Sequence, residues 1–261
     1  MVISMERWKR KVAVVTGASS GIGAAIVGQL VESGLKVVGL ARSRTKLEEL
    51  STKLENKNGK FYAFRTDITK EEDIVNAFEW IKKNLGPVHI LVNSAGILRY
   101  DTLVDGNTNF WKEVLETNVL GLCIATREAV KDMKANNVNG HIVHINSISG
   151  HKVTNVPTIN VYAASKHAVT ALTETLRQEL DSIGSKIKIS SISPGCVDTG
   201  IFEATAKGSG LPGIPAERAA MLNKIPKLQA RDVADGVLYV LATPPHVQVH
   251  ELTIKPLGEL M

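Results

Sequence analysis

The chain has 261 residues, 44% of them apolar, which is enough for a sizeable core and unlike a disordered or low-complexity segment. Its net charge of +5 comes from 31 basic residues scattered among 26 acidic ones, with few aromatics to stack bases, which argues against a nucleic-acid-binding surface. No apolar run approaches the ~20 residues that span a bilayer, no apolar signal region follows Met1–Ser4 and no address motif ends the chain. The expectation is a soluble cytoplasmic protein with no membrane span. Cys123 and Cys196 have no metal-ligand spacing, and the seven histidines form no HExxH pattern, so neither a disulfide nor a metal is expected.

In chain order, β-branched runs alternate with helical stretches. Strands are predicted at Val12–Thr16, Lys36–Leu40, Lys60–Arg65, His89–Asn93, His141–Asn146, Ile187–Ser191 and Glu251–Ile254. Helices are predicted at Ile22–Ser33, Thr45–Asn56, Glu71–Asn84, Phe110–Asn136, Val161–Ser182 and Ala230–Leu241. Nearly continuous apolar strands separated by helices indicate a parallel sheet covered on both faces. The expected fold class is α/β, a single doubly wound Rossmann domain over residues 1–261 with about seven parallel strands in the order 3-2-1-4-5-6-7. Residues 200–226 interrupt the rhythm with four glycines and three prolines, and this length suits a substrate lid. Ile201, Phe202, Leu211, Ile214 and Met221 make that lid apolar, although simple helix packing would use the same residues.

The first strand runs into Thr16-Gly17-Ala18-Ser19-Ser20-Gly21-Ile22-Gly23, directly before a helix. Glycines allow a tight turn and close approach to a pyrophosphate, and the helix N-terminus supplies free N–H groups and a favourable dipole. In isolation such a turn could merely open a helix; between the first strand and the first helix it points to a nucleotide. The second strand ends Gly39-Leu40-Ala41-Arg42-Ser43, without the acid that normally bonds a ribose 2′-hydroxyl. Alanine leaves room for a 2′-phosphate, Arg42 can pair with it and Ser19 can add a contact, so the cofactor read from these residues is NADP(H).

Tyr162 and Lys166 stand four apart at the start of a helix, on one face and about one turn from each other. A nearby ammonium stabilises phenolate, so Lys166 jointly with an oxidised nicotinamide is expected to lower the Tyr162 pKa. Ser147 ends a strand, where α/β sheets present side chains to ligands, and can hold a substrate oxygen beside Tyr162. Asn118 falls inside a predicted helix, a position that implies local distortion or a polar task.

TGxxxGIG, Asn93-Ser94-Ala95-Gly96, the helical Asn118, Ser147, YxxxK and Ser193-Pro194-Gly195-Cys196-Val197-Asp198-Thr199 follow one another over nearly the whole chain. In that order and spacing the chain resembles the short-chain dehydrogenase/reductase family. The stretches Met5–Trp8, Asn146–His151 and Tyr162–Glu174 look like the branch holding the insect farnesol dehydrogenase-like enzymes and the vertebrate cytosolic reductases of hydroxysteroids and other carbonyls. The resemblance implies an NADP-dependent alcohol dehydrogenase/carbonyl reductase. Tyr162 would be its general acid/base, Ser147 would polarise the substrate oxygen, Lys166 would bind ribose and tune Tyr162, and Asn118 would hold a water in a proton relay. Gly17, Ser19, Ser20, Gly21, Ile22, Gly23, Arg42 and Ser43 would line the phosphate end of the cofactor site. Asp67 and Ile68 would line the adenine, Asn93 would pack by the adenosine ribose with Ala95 and Gly96 beside it, and Pro194, Gly195, Val197 and Thr199 would surround the nicotinamide.

The implied substrate is a small apolar alcohol or carbonyl, farnesol-like or steroid. The implied assembly is a homodimer or homotetramer through Phe110–Asn136 and Val161–Ser182. Two departures stand out: Asn93-Ser94 replaces the usual Asn-Asn, and the gap from Ser147 to Tyr162 is fifteen residues, two more than is common. The longer gap is expected to bulge outward and reshape the substrate pocket. The rival reading is a catalytically weak NADPH-binding sensor or scaffold, against which the full Ser147, Tyr162 and Lys166 set argues.

Overall fold

The computed structural model describes residues 3–153, 158 and 160–259. Seven strands form one sheet: β1 (Val12–Thr16), β2 (Lys36–Ala41), β3 (Lys60–Arg65), β4 (Val88–Asn93), β5 (His141–Ile145), β6 (Lys188–Pro194) and β9 (Glu251–Ile254). They lie in the order β3-β2-β1-β4-β5-β6-β9, and every pairing is parallel. This is the expected order, with the last strand numbered ninth because a two-residue ladder, β7 (Val197–Asp198) and β8 (Leu228–Gln229), intervenes.

Two apolar layers explain why the central strand β1 is apolar at four of its five positions. On one face Ala13, Val15, Val92, Val143 and Ile192 pack against α1 (Gly21–Glu32), α2 (Arg44–Leu54) and α9 (Ala230–Ala242) through Ile26, Leu30, Leu47, Val233 and Val237. On the other, Val14, Val38, Leu91, Ile142 and Ile189 meet α3 (Glu71–Asn84), α5 (Gly121–Ala135) and α6 (Asn160–Ser182) through Ile74, Phe78, Ile124, Met133 and Leu180. Side chains alternate across a strand, so a strand covered on both faces is mostly apolar, and its polar residues must find hydrogen-bond partners inside. All five residues of β1 are buried, whereas the edge strand β3 alternates between exposed and half-buried positions. His141 and His144 follow the same alternation. His141 bonds Ser190 Oγ, while His144 lies on the other face between Thr126 and Thr173.

Most differences from the sequence reading lie at element ends. The substantial ones concern two segments. The single helix expected at Phe110–Asn136 is α4 (Thr108–Leu115), a π-helical turn at Glu116–Leu120, and α5. The segment 200–226 contains α7 (Ile201–Gly208) and α8 (Ala216–Leu222), helices too short for their periodicity to stand out among glycines and prolines. Residues 154–157 and 159, where the extra length between Ser147 and Tyr162 was expected to bulge, lie outside the described residues. Among those described, no helix is long and apolar enough to cross a membrane.

Candidate active site

In a doubly wound sheet ligands bind beyond the carboxyl ends of the strands, where the connections diverge to opposite faces. Two connected cavities lie there, sharing Ile22, Ser94, Gly96, Leu98, Thr199 and Ile201.

The larger, about 380 Å³, is a cleft floored by the turn after β1. Thr16 Oγ1 accepts the backbone N–H groups of Ser94 and Ala95, both at 3.0 Å, and this ties the ends of β1 and β4 together. Gly17 has φ +67°, and a side chain on it would strike the Ala95 backbone. Gly23 has no room for a methyl group against the Gly17 carbonyl, so helix and turn close tightly only with glycine there. Ser20, at the N-cap of α1, makes no side-chain capping bond, which leaves the first N–H groups of that helix to a ligand in the cleft.

Further along the cleft lie Ala41, Arg42 and Ser43 after β2 and Asp67 and Ile68 after β3. Ser43 caps α2 by accepting the Lys46 N–H at 3.4 Å. Arg42 is exposed at the rim. Burial pushes the Asp67 carboxyl up, but hydrogen bonds from the Thr69 side chain and backbone, helped by the charges of Arg42 and Lys70, hold it below its ordinary value. Glycine backbone, an uncapped helix end and a cationic rim fit a dinucleotide.

The second cavity, about 180 Å³, is mainly apolar, with Ile145, Phe202, Met221, Leu222 and Ile225 in its walls. Ser147, Tyr162, Lys166, Pro194, Gly195, Val197 and Thr199 also line it. Ser147 caps a 3-10 turn at Ile148–Gly150, accepting the Ser149 N–H at 3.1 Å, and its hydroxyl hydrogen-bonds the Tyr162 phenol. Lys166 Nζ donates to the Ile145 carbonyl at 2.9 Å and sits 5.8 Å from the centroid of the Tyr162 ring. A helical spacing of four therefore brings phenol and ammonium to the end of β5, as the sequence requires.

Lys166 by itself adds no resolved lowering to the Tyr162 pKa. Burial pushes the phenol above its ordinary value, and the Ser147 hydrogen bond pulls it back by less. Burial likewise lowers the Lys166 ammonium to about 8. Desolvation drives both groups toward their neutral forms.

Asn118 and Asn93 lie outside both cavity walls. Asn118, buried in the π-helical turn, accepts the Ile97 N–H at 2.8 Å and donates to the Ile97 carbonyl at 2.8 Å and to Ser165 Oγ at 3.0 Å. It pins the loop after β4 to α6 behind Tyr162 and Lys166. The extra residue of a π turn redirects a side chain at a functional site, which accounts for an asparagine inside a helix. Asn93 departs further from the expectation. Strand alternation turns it into the layer under α5, where it donates to Thr126 Oγ1 at 2.9 Å, and its neighbours Ser94 and Ala95 face the cleft instead.

Sequence reasoning passed over Lys46, Ser94 and Thr66 in the cleft and Arg218, Ile225 and Glu259 in the cavity. Ser94 stood in a quoted motif and was legible; Glu259 had no local signal at all.

The short chain dehydrogenase sequence profile matches residues 11–209, a span that carries both the glycine turn and the Ser147, Tyr162 and Lys166 set. The chain belongs to the short-chain dehydrogenase/reductase family. Among relatives of this short-chain dehydrogenase/reductase, farnesol dehydrogenase of Aedes aegypti is 52% identical over 257 residues, covering 98% of this chain and 99% of its own. Dehydrogenase/reductase SDR family member 11 of Mus musculus is 45% identical over 256 residues, covering 97% of this chain and 96% of its own. An alcohol dehydrogenase from the archaeon Thermococcus sibiricus, solved with 5-hydroxy-NADP, superposes with a TM-score of 0.80 at 26% identity and covers 96% of this chain and 98% of its own. The protein is an NAD(P)-dependent oxidoreductase of this family.

Proposed function

We propose that this short-chain dehydrogenase/reductase uses NADP(H) to interconvert an apolar alcohol and its carbonyl compound, a farnesol-like isoprenoid or a steroid. The observation that carries the reading is the convergence of Ser147, Tyr162 and Lys166 on an apolar cavity that opens into a glycine-floored cleft. The 52% identity to a farnesol dehydrogenase favours an isoprenoid. The cleft holds the cofactor's phosphates at the turn Gly17–Gly23 and the start of α1, and Arg42 meets the 2′-phosphate where an NAD site would carry an acid.

When bound, the nicotinamide supplies or takes up the hydride. The chain manages the proton. Burial keeps the Tyr162 phenol protonated at neutral pH, so it can donate to the oxygen of a carbonyl substrate, and Ser147 orients that oxygen from the adjacent wall. Lys166, still charged below about pH 8 and 5.8 Å from the centre of the Tyr162 ring, would together with an oxidised nicotinamide favour the phenolate left when the proton has gone. In alcohol oxidation the same groups run in reverse. Asn118 acts from behind by holding the loop after β4 against α6. The segment 200–226 covers the cavity through α7 and α8 and excludes water from the reacting atoms.

The protein is further proposed to be cytoplasmic and to assemble as a homodimer or homotetramer. Leu122, Val130, Leu172 and Leu176 line a shallow groove along α5 and α6 that a second copy can fill. Light scattering that finds a particle of 28 kDa at micromolar concentration would contradict the assembly. The activity is tested by following NADPH oxidation with farnesal, steroid ketones, retinal and small diketones. Turnover of an apolar carbonyl is expected; binding of NADPH without turnover of any of them would favour the sensor or scaffold reading.

A further inference from the structure

The turn after β9 returns a carboxylate to the active-site cavity. Glu259 lies 63 residues beyond Cys196, yet its Oε1 accepts the Cys196 backbone N–H at 2.8 Å. Its side chain is 1% exposed and forms part of the cavity wall that also holds Ser147 and Tyr162. The other carboxylate oxygen, Oε2, has no hydrogen-bond partner among the described residues. Lys255 Nζ stands 3.9 Å from that oxygen and donates to the Glu259 carbonyl at 3.1 Å. Oε2 lies so close over Gly195 that a methyl group there would overlap it.

A carboxylate taken out of water with one amide bond and a distant ammonium is a costly way to fasten a turn. The peptide it fastens is Gly195–Cys196, which leaves the end of β6 and leads into Val197 and Thr199. The peptides on either side of it are held by backbone: the Gly195 N–H donates to the Ile254 carbonyl at 2.8 Å, and the Cys196 carbonyl accepts the Leu228 N–H at 2.8 Å. Only the Cys196 N–H depends on a side chain, and that side chain is Glu259.

We propose that Glu259 is a positioning residue for cofactor binding: by accepting the Cys196 N–H, it sets the Gly195–Cys196 peptide so that Val197 and Thr199 face the nicotinamide end of the cavity. This rests on the NADP(H) reading of the site. The role belongs to the acceptor geometry rather than to the charge, so a neutral acceptor of the same length replaces it and a shorter acid does not.

Three variants test it in the full chain: Glu259→Gln, Glu259→Asp and Glu259→Ala. NADPH affinity is read by fluorescence titration, and exchange of the Cys196 amide by hydrogen–deuterium measurements without added cofactor. Glu259→Gln is expected within about threefold of wild type in affinity and protection. Glu259→Ala and Glu259→Asp are expected to lose about tenfold in NADPH affinity, with faster Cys196 exchange. If Glu259→Ala does not fold, the contrast between Gln and Asp decides. Wild-type affinity in Glu259→Ala or Glu259→Asp overturns the proposal, and so does a Glu259→Gln variant as weak as the others. Failure of wild type to bind NADPH would instead remove the function proposed above.

Discussion

At the cleft end, Gly17 to Gly23 follow β1 directly, Arg42 and Ser43 follow β2, and Asp67 and Ile68 follow β3. At the cavity end, Ser147 comes from the close of β5, Tyr162 from α6, Met221 from α8 and Glu259 from beyond β9. The first region is made of turns whose conformation is local, each next to its own strand. The second is made of side chains brought together from segments spread over more than a hundred residues. A site of the first kind depends on backbone shape, with an exposed side chain adding selectivity at its rim, whereas one of the second kind depends on packing and on the protonation of buried groups.

The largest test of this contrast is at the cavity end. Tyr162→Phe should preserve the fold and NADP(H) affinity while cutting turnover ~10²- to 10⁴-fold, the usual share of general acid–base catalysis. Stopped-flow turnover alongside a cofactor titration measures both; turnover near wild type would remove Tyr162 from the chemistry. At the rim of the cleft, Arg42→Ala should weaken NADPH by ~10- to 100-fold and leave NADH nearly unchanged, with a penalty that shrinks as salt rises because Arg42 is exposed. Equal wild-type affinity for the two cofactors would break the assignment.

A pH profile sharpens the comparison, since only the cavity end carries buried titrating groups in its walls. Carbonyl reduction should fall above about pH 8, as Lys166 loses its proton, by up to ~10-fold per pH unit. A profile that stays flat to pH 10 would separate Lys166 from the proton step.

The smallest effect belongs to the layer beneath the site. Burial first, then the Lys166 charge, lowers the His144 pKa to about 3, where the unfolded chain has the ordinary value of 6.5. The folded state then binds fewer protons between these two values, so His144 contributes stability above pH 6.5 that is lost as pH falls toward 3. The slope is at most ~1.4 kcal/mol per pH unit for one proton. Denaturant titrations from pH 7 to 4 should show a shallower slope in His144→Asn, and an unchanged slope would place the acid sensitivity elsewhere.

The sequence by itself determined the apolar strands of the sheet, the glycine turn after β1 and the shared helical face of Tyr162 and Lys166. Each of these follows from a local rule: two-sided burial makes a strand mostly apolar, a tight turn needs glycine, and a spacing of four repeats along one side of a helix. Even there the reading stopped at the backbone. It placed Asn93 at the right strand end, but a one-residue alternation turned that side chain under α5. Only the tertiary structure decided that the asparagine at 118 sits in a π turn and clasps Ile97, that α7 and α8 wall the cavity, and that Glu259 reaches Cys196. Desolvation was equally out of reach, because the Tyr162 and Lys166 pKa directions depend on how much protein surrounds the pair. Contacts between distant segments leave no period in the sequence. They arise only when the whole sheet has been assembled and its connections have been forced to share the space above it.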